Sequence, residues 1–483
     1  MGEFVTGKRI LIVGGGAGGL ALASKLGRKL GLKEEAEITL IDKSPVHIWK
    51  PKLHEVAVGV IDQSVEGLLY RDHGLKNGYR FLRGEMLQCD PEAKTITLAG
   101  VSNDDGEQII AERELPYDYL VIAIGGVANS FNTPGAKEHC IFLDSLDSAN
   151  QFHHKLLDNL LLLDETSEKL SIGIVGAGAT GVELAAELHH VLDSVKEYGY
   201  LNVDKHHLEI HLIEAAPKIL PALPDKVSSR AQSVLDHIGV RLHIGVQVKE
   251  VTKQGFITQE DVLIPAGLKV WAAGVKGPDV LQQFDKLPVN NRNLIEVDAC
   301  MRVKGHKDIY ALGDCAFLVQ DNGKPVPPRA QAASQMAETL YKNILNRLKG
   351  KAENPFVYRD YGSLVSLSRF SAVGNLMGNL RSGSLFIEGY VARMMYMSLY
   401  QRHLASLYGW FSALVAISRA PFLVAGISAC LHSGARVSDN RLWSEDFAAS
   451  ALLTAIGDQQ LGSYLGNLAV GLMHCGQLGP GLA

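Results

Sequence analysis

Two stretches of the chain share one order of textures. KRILIV at 8–13 is an unbroken apolar, β-branched run that ends in glycines and opens onto AGGLALASKL, and LSIGIV at 170–175 passes through GAG into ATGVELAAEL. A run of this kind predicts a strand buried on both faces, the glycines a tight turn, and the Ala/Leu-rich stretch a helix. Each unit is followed by a second strand-length run that ends in an acid, AEITLID at 36–42 and HLEIHLIE at 207–214. YDYLVIAIGG at 117–126 and GLKVWAAGV at 267–275 repeat the pattern of a buried strand closed by a glycine turn, and each can return the chain past the first turn of its half. Strands and helices alternating in this way predict an α/β protein with parallel sheets, built twice.

The glycines carry a chemical meaning. Gly14, Gly16 and Gly19 satisfy GxGxxG, as do Gly176, Gly178 and Gly181. In this pattern the first glycine permits the turn, the second lets the backbone approach a pyrophosphate, and the third lets helix pack on strand, while the helix N-terminus offers N–H donors and positive potential. Asp42 stands 23 residues after Gly19, where a carboxylate can accept ribose hydroxyls. Glu214 follows Gly181 by 33 residues, a longer gap that EYGYLNVDKHH is expected to fill as extended helix and loop. An acid at Glu214 binds a free 2′-hydroxyl and repels a 2′-phosphate, so NADH is favoured over NADPH. Two such sites fit a hydride relay with FAD in one and NADH in the other, and the turns at Gly125 and Gly274 are counted with the cofactor-binding residues.

Composition narrows the field. At 483 residues, with 47% hydrophobic and 20% charged residues, the chain suits roughly three globular domains, by the usual prior of about 150 residues each. A net charge of −5 gives no general attraction for nucleic acid. Cys89, Cys140, Cys300, Cys315, Cys430 and Cys475 are scattered without CxxC or ligand spacing, which predicts reduced structural thiols and no metal site. With the first strand starting at Lys8, no secretory or transit leader is expected. No cysteine lies in the turn and helix at 14–30 or in the helix at 181–195. That argues against a disulfide reductase, and the pair Cys140 and Cys315 is the remaining candidate for a sulfide:quinone reductase, an enzyme that has no need of a second nucleotide site.

DIYALGDCA at 308–316 resembles the second FAD motif of flavoproteins with two dinucleotide-binding domains, in which the aspartate, here Asp314, holds the ribityl or pyrophosphate region. AQAASQ at 330–335 matches the AQxAxQ motif of type II NADH:quinone oxidoreductases and follows Asp314 by 16 residues. HIWKPKLHEVAVG at 47–59 and FVYRDYGSLVSLSRFSAVG at 356–374 also resemble segments of that family, so the resemblance spans about 8–415. It implies ping-pong transfer of two electrons from NADH through FAD to ubiquinone or menaquinone, without proton pumping. It also implies catalytic roles for Gln331, Gln335 and Glu183. Physically, Gln331 and Gln335 share a helical face beside small residues, and an amide can both donate to and accept from a quinone carbonyl. Glu183 falls in the first turn of its helix, where the dipole favours a carboxylate. An NADH-dependent ferredoxin- or rubredoxin-type reductase is the alternative reading.

The C-terminal part sets the acceptor apart. LASLYGWFSALVAISRAPFLVAGISACL at 404–431 holds one charge, Arg419, and Pro421 divides it. GYVARMMYMSLYQRHLASLYGW at 389–410 mixes basic residues with Met, Tyr and Trp, a composition suited to a helix lying on anionic lipid. The expected partners are therefore a quinone and a membrane surface touched monotopically, with a homodimer left open, on the cytoplasmic face of a bacterial inner membrane. The expected architecture is two Rossmann-like dinucleotide-binding domains, for FAD and NADH, plus a C-terminal membrane-associating region. Its boundaries are 1–145 and 286–385 for FAD, 146–285 for NADH and 386–483 for the membrane region; beyond about Ser418 the chain departs from the family's compact basic tail.

Overall fold

The two units predicted from the apolar runs fold as a pair of parallel sheets that share the order of four strands; the fifth, at the edge, comes last in the chain in the first sheet and first in the second. The computed structural model describes residues 7–408 except 62–66, 104, 167–168, 196–202, 204, 285, 369–370 and 378–383. Along the chain, β1 (Lys8–Val13) leads through the glycine turn into α1 (Ala17–Lys29), and β2 (Ala36–Asp42), α2 (Leu53–Ala57), α3 (Tyr70–Asn77), β3 (Arg80–Arg83) and β4 (Tyr119–Ile122) follow. The second half begins with β5 (Ile141–Phe142), α4 (Leu146–Thr166) and β6 (Leu170–Val175). It continues through α5 (Ala179–Ser194), β7 (Leu208–Glu214), α6 (Asp225–His237), β8 (Arg241–Ile244) and β9 (Leu268–Trp271). The chain then returns to the first sheet as β10 (Ile309–Ala311) and runs into α7 (Ala330–Leu348).

The first sheet has the order β10-β4-β1-β2-β3 and the second β5-β9-β6-β7-β8, all parallel. Registers match as well: Val13 pairs with Ile41 in one sheet and Val175 with Ile213 in the other, so each glycine turn leaves its sheet beside the acid that ends the neighbouring strand. Burial on both faces explains why β1 and β6 are apolar throughout their inner residues rather than alternating.

Helix α1 covers the first sheet and packs on α7. The contact is close because Gly18 has no side chain: a Cβ there would press on Leu312 and come within 3.1 Å of the Ala333 carbonyl. From α7, Ala333, Met336, Ala337, Leu340 and Ile344 form a buried stripe at helical spacing. The two sheets are joined by a short antiparallel ribbon, in which Val127 and Lys276 exchange backbone hydrogen bonds of 2.9 and 3.0 Å.

After α7 the chain forms an antiparallel sheet of β11 (Gly362–Ser368), β12 (Ser371–Met377) and β13 (Ser384–Glu388), then α8 (Gly389–Tyr408). Val365, Leu367 and Val373 enter the apolar core of the second domain, and so do Leu53, Val56 and Ala57 of α2, although both segments lie outside that domain in the chain. Among the described residues no helix is long and apolar enough to cross a membrane. The apolar run at 404–431, apart from its first five residues, and most of EYGYLNVDKHH lie outside the described residues.

Leu340 is fully buried between α7 and the first sheet. Leu340→Ala is expected to destabilise the first domain by about 2–4 kcal/mol, the range for a large-to-small change in a packed core, read as a lower urea midpoint.

Candidate active site

The two glycine turns are built alike down to single hydrogen bonds. Gly14 and Gly176 have φ of 105° and 102°, in the region that only glycine occupies without strain. Their amides donate to Ile41 O at 2.7 Å and Ile213 O at 2.8 Å. The next amides, of Gly15 and Ala177, donate to Asp42 Oδ2 at 2.6 Å and Glu214 Oε2 at 2.8 Å. The second oxygen of each acid accepts from the amide two residues on, Ser44 and Ala216, at 2.9 and 2.8 Å. Each acid thus ties its turn to the end of the adjacent strand while keeping lone pairs for a ligand.

The third residues of the turns, Gly16 and Gly178, cap α1 and α5. A Cβ at either would meet nothing within 4 Å, and neither amide donates to an acceptor among the described residues. By contrast, a Cβ on Gly19 or Gly181 would overlap the Gly14 or Gly176 carbonyl. Open space and free donors at Gly16 and Gly178, at the N-terminus of a helix, fit a diphosphate at both places.

Between the turns lies a polar junction. Gly125 and Gly274 flank the ribbon that joins the domains, both at positive φ. Asp314 sits in the turn Gly313–Cys315, where the Gly313 amide contacts Met336 Sδ of α7 at 3.4 Å. Lys50, which the motifs did not single out, donates to the Gly126 carbonyl at 2.7 Å. Burial pushes the Asp314 carboxyl up and Lys50 pulls it back. Asp314 in turn favours the charged form of Lys50 against the lowering by burial, with Asp144 contributing more.

Gln331 and Gln335 both face the segment that enters β11. Gln331 donates to Gly362 O at 3.0 Å and accepts from the Tyr361 amide at 3.3 Å; Gln335 donates to Arg359 O at 2.9 Å and accepts from its amide at 3.0 Å. Arg329, just before α7, adds an ion pair with Asp360 at 3.1 Å. The amides hold backbone as a neighbouring strand would, a use of them that the motif does not disclose. Four residues beyond Gly362, the Ser366 amide donates to Glu183 Oε1 at 2.9 Å, so strand β11 joins the two glutamines to Glu183.

Glu183 is buried on α5 among groups from three other segments. His54 Nδ1 lies 3.5 Å from its Oε2, and His54 Nε2 lies 3.9 Å from Glu55 Oε1. Arg393 of α8 donates to Ser366 Oγ at 2.7 Å, and Tyr396 packs beside the carboxylates. Burial pushes Glu183 up to about 8, the Ser366 amide opposes this, and the nearby Glu55 and Glu187 add to it. Glu183 was expected in the first turn, where the dipole favours charge; α5 begins at Ala179 and no acid falls in its first turn, so burial prevails and the acid is protonated at neutral pH. Burial takes His54 down to about 3, so the contact with Glu183 joins two neutral groups.

The four cysteines among the described residues are free. Burial pushes the thiols of Cys140 and Cys315 each up to about 12, which removes the thiolate that a sulfide or disulfide relay needs.

Two matched glycine turns flank one polar junction, and the Pyridine nucleotide-disulphide oxidoreductase family matches residues 8–337, which places the chain among the oxidoreductases of that family. A type II NADH:quinone oxidoreductase of Haemophilus influenzae is 43% identical over 419 residues, covering 83% of this chain and 94% of the relative. One from Staphylococcus aureus is 31% identical over 78% of this chain and 91% of its own length. The chain belongs to the type II NADH:quinone oxidoreductases. In fold it is similar to NDH2 from Plasmodium falciparum in complex with NADH, with a TM-score of 0.71 at 22% identity over 85% of this chain and 98% of that one.

Because the folded value of Glu183 lies above the ordinary 4.5, the folded protein binds the extra proton between these values, and stability falls as pH rises through about 8. The buried histidines His47, His54, His211 and His403 act in the opposite sense, but only below about 6.5. Glu183→Gln should therefore lose less stability than the parent between pH 6.5 and 9, measured by urea unfolding. Parallel losses would place the proton elsewhere.

Proposed function

We propose that the protein oxidises NADH at the Gly176–Gly181 turn and reduces a membrane quinone, with FAD at the Gly14–Gly19 turn between them. The matched turns carry this reading: two free donor amides over open space, each backed by an acid, within a chain 43% identical to a type II NADH:quinone oxidoreductase. Bound FAD supplies the two-electron chemistry that accepts hydride from NADH and passes electrons to the quinone. The protein pumps no protons, and its half-reactions alternate at one centre.

The chain's own residues place and protect. Asp42 and Glu214 accept ribose hydroxyls with the lone pairs left by the turn amides, and Glu214 disfavours a 2′-phosphate. Asp314 holds the ribityl or pyrophosphate end, and Lys50 brings a cation to the same junction. Gly125 and Gly274 let the ribbon pass close to both nucleotides. The FAD-binding part is read as 1–145 with 286–385 and the NADH-binding part as 146–285. The short strand Ile141–Phe142 already hydrogen-bonds in the second sheet.

Gln331 and Gln335 border the quinone site and act as positioning residues, because their amides hold the 359–362 segment. Glu183, protonated at neutral pH, keeps a proton near that site for quinol formation, with His54 and Arg393 beside it. Val391, Met394, Met397 and Leu399 of α8 are exposed large apolar side chains, and Arg402 is exposed on the same helix. That surface suits contact with anionic lipid on the cytoplasmic face of a bacterial inner membrane.

Stopped-flow measurement of the two half-reactions tests the assignment. Gln331→Ala and Gln335→Ala should slow quinone reduction by about tenfold or more while leaving flavin reduction by NADH within roughly twofold, since only the acceptor geometry is disturbed. Equal losses in both would return the glutamines to a purely structural role. For the membrane surface, Met394→Glu combined with Met397→Glu should reduce co-sedimentation with phosphatidylglycerol vesicles without changing NADH oxidation by a soluble quinone analogue.

A further inference from the structure

The peptide between Gly15 and Gly16 is trans and nearly planar, so its carbonyl and the Gly16 amide point in opposite directions. Whatever holds the Gly15 carbonyl therefore aims the Gly16 N–H. Two buried side chains hold it: the Tyr70 hydroxyl at 2.8 Å and His47 Nδ1 at 2.9 Å. A carbonyl only accepts, so the His47 proton is on Nδ1 and its Nε2 carries a lone pair. That lone pair faces His403 Nε2 at 3.0 Å, and the one consistent assignment makes His403 the donor.

His403 belongs to α8, 356 residues from His47 in the chain. Its ring stacks on Trp49 with centroids 5.7 Å apart, and the same helix is latched at its end by Arg28, which donates to Leu407 O at 2.9 Å, and by His73, 3.2 Å from the same oxygen. The second turn is built without this relay. The carbonyl of Ala177, the counterpart of Gly15, accepts from the Leu220 backbone amide at 2.7 Å.

We infer that α8 sets how tightly the first turn holds a dinucleotide diphosphate, through His403, His47 and the Gly15 carbonyl, and leaves the second turn untouched. The inference rests on the placement of FAD at the first turn. His403, His47 and Tyr70 are positioning residues: Tyr70 and His47 touch the turn, His403 acts through His47, and together they keep the Gly16 donor aimed when the diphosphate arrives. The helix proposed to lie on lipid thus reports its seating to the flavin site and not to the NADH site.

The test measures FAD release from the holoenzyme by flavin fluorescence, and NADH binding to the same preparations by quenching of protein fluorescence. His403→Phe keeps the stacking on Trp49 and removes the donor, and Tyr70→Phe removes the other donor without altering α8. Each should weaken FAD binding roughly three- to tenfold, the effect of one neutral hydrogen bond, with NADH binding unchanged. His403→Gln, which restores an N–H, should return FAD retention to within about twofold of the parent. Unchanged FAD retention in His403→Phe, or a parallel loss of NADH affinity, overturns the relay. Gly16→Val, which fills the open space at the turn, separates the two ideas. Loss of FAD there with none in His403→Phe refutes the relay alone, whereas retention of FAD in Gly16→Val overturns the placement of FAD and the relay with it.

Discussion

Both proposed nucleotide sites depend on one contact, the hydrogen bond from the second amide of a glycine turn to the carboxylate that ends the neighbouring strand. In the first domain it joins Gly15 to Asp42 and in the second Ala177 to Glu214. With the preceding amide held by the strand and the left-handed glycine making the bend, the turn has one shape before any ligand arrives. Its free donors then face open space at a helix end. A site arranged in advance loses less freedom on binding, which is the physical reason for holding the turn with a half-buried acid rather than leaving it to the nucleotide.

The proposed acceptor side is organised by a strand instead of a turn. Gln331 and Gln335 hold residues 359–362, β11 follows, and its Ser366 amide reaches Glu183. A displacement at the start of α7 is therefore felt at an acid on another domain's helix. The environment of that acid decides its chemistry: it lies past the first turn of α5, and burial among Glu55, Glu187 and Tyr396 leaves the proton in place. In the proposed site, side-chain-to-backbone hydrogen bonds link the proton to the acceptor geometry.

What could be read from the sequence follows from how far apart the partners lie. The glycine turns, their acids and the doubled α/β architecture depend on spacings of a few tens of residues and on apolar runs, and the order of four strands that the sheets share has that origin. Asp314 and the glutamines came from motif resemblance, which names residues without naming their partners; hence the clamp on 359–362 was not legible. His54, Arg393 and Lys50 act by meeting groups from distant segments, and His47 meets His403 across 356 positions. Nothing in the local composition marks such pairs. The protonation of Glu183 was hidden for a related reason, since helix position is visible in a sequence and burial by three other elements is not.

In the proposed reaction the two turns hold different nucleotides and electrons enter through the second. Gly178→Val fills the open space at that turn and leaves the first turn intact. Anaerobic mixing of the purified variant with NADH reads this directly: the variant should carry a full complement of FAD whose absorbance NADH fails to bleach. Bleaching at the parent rate, or loss of FAD from the variant, would contradict it.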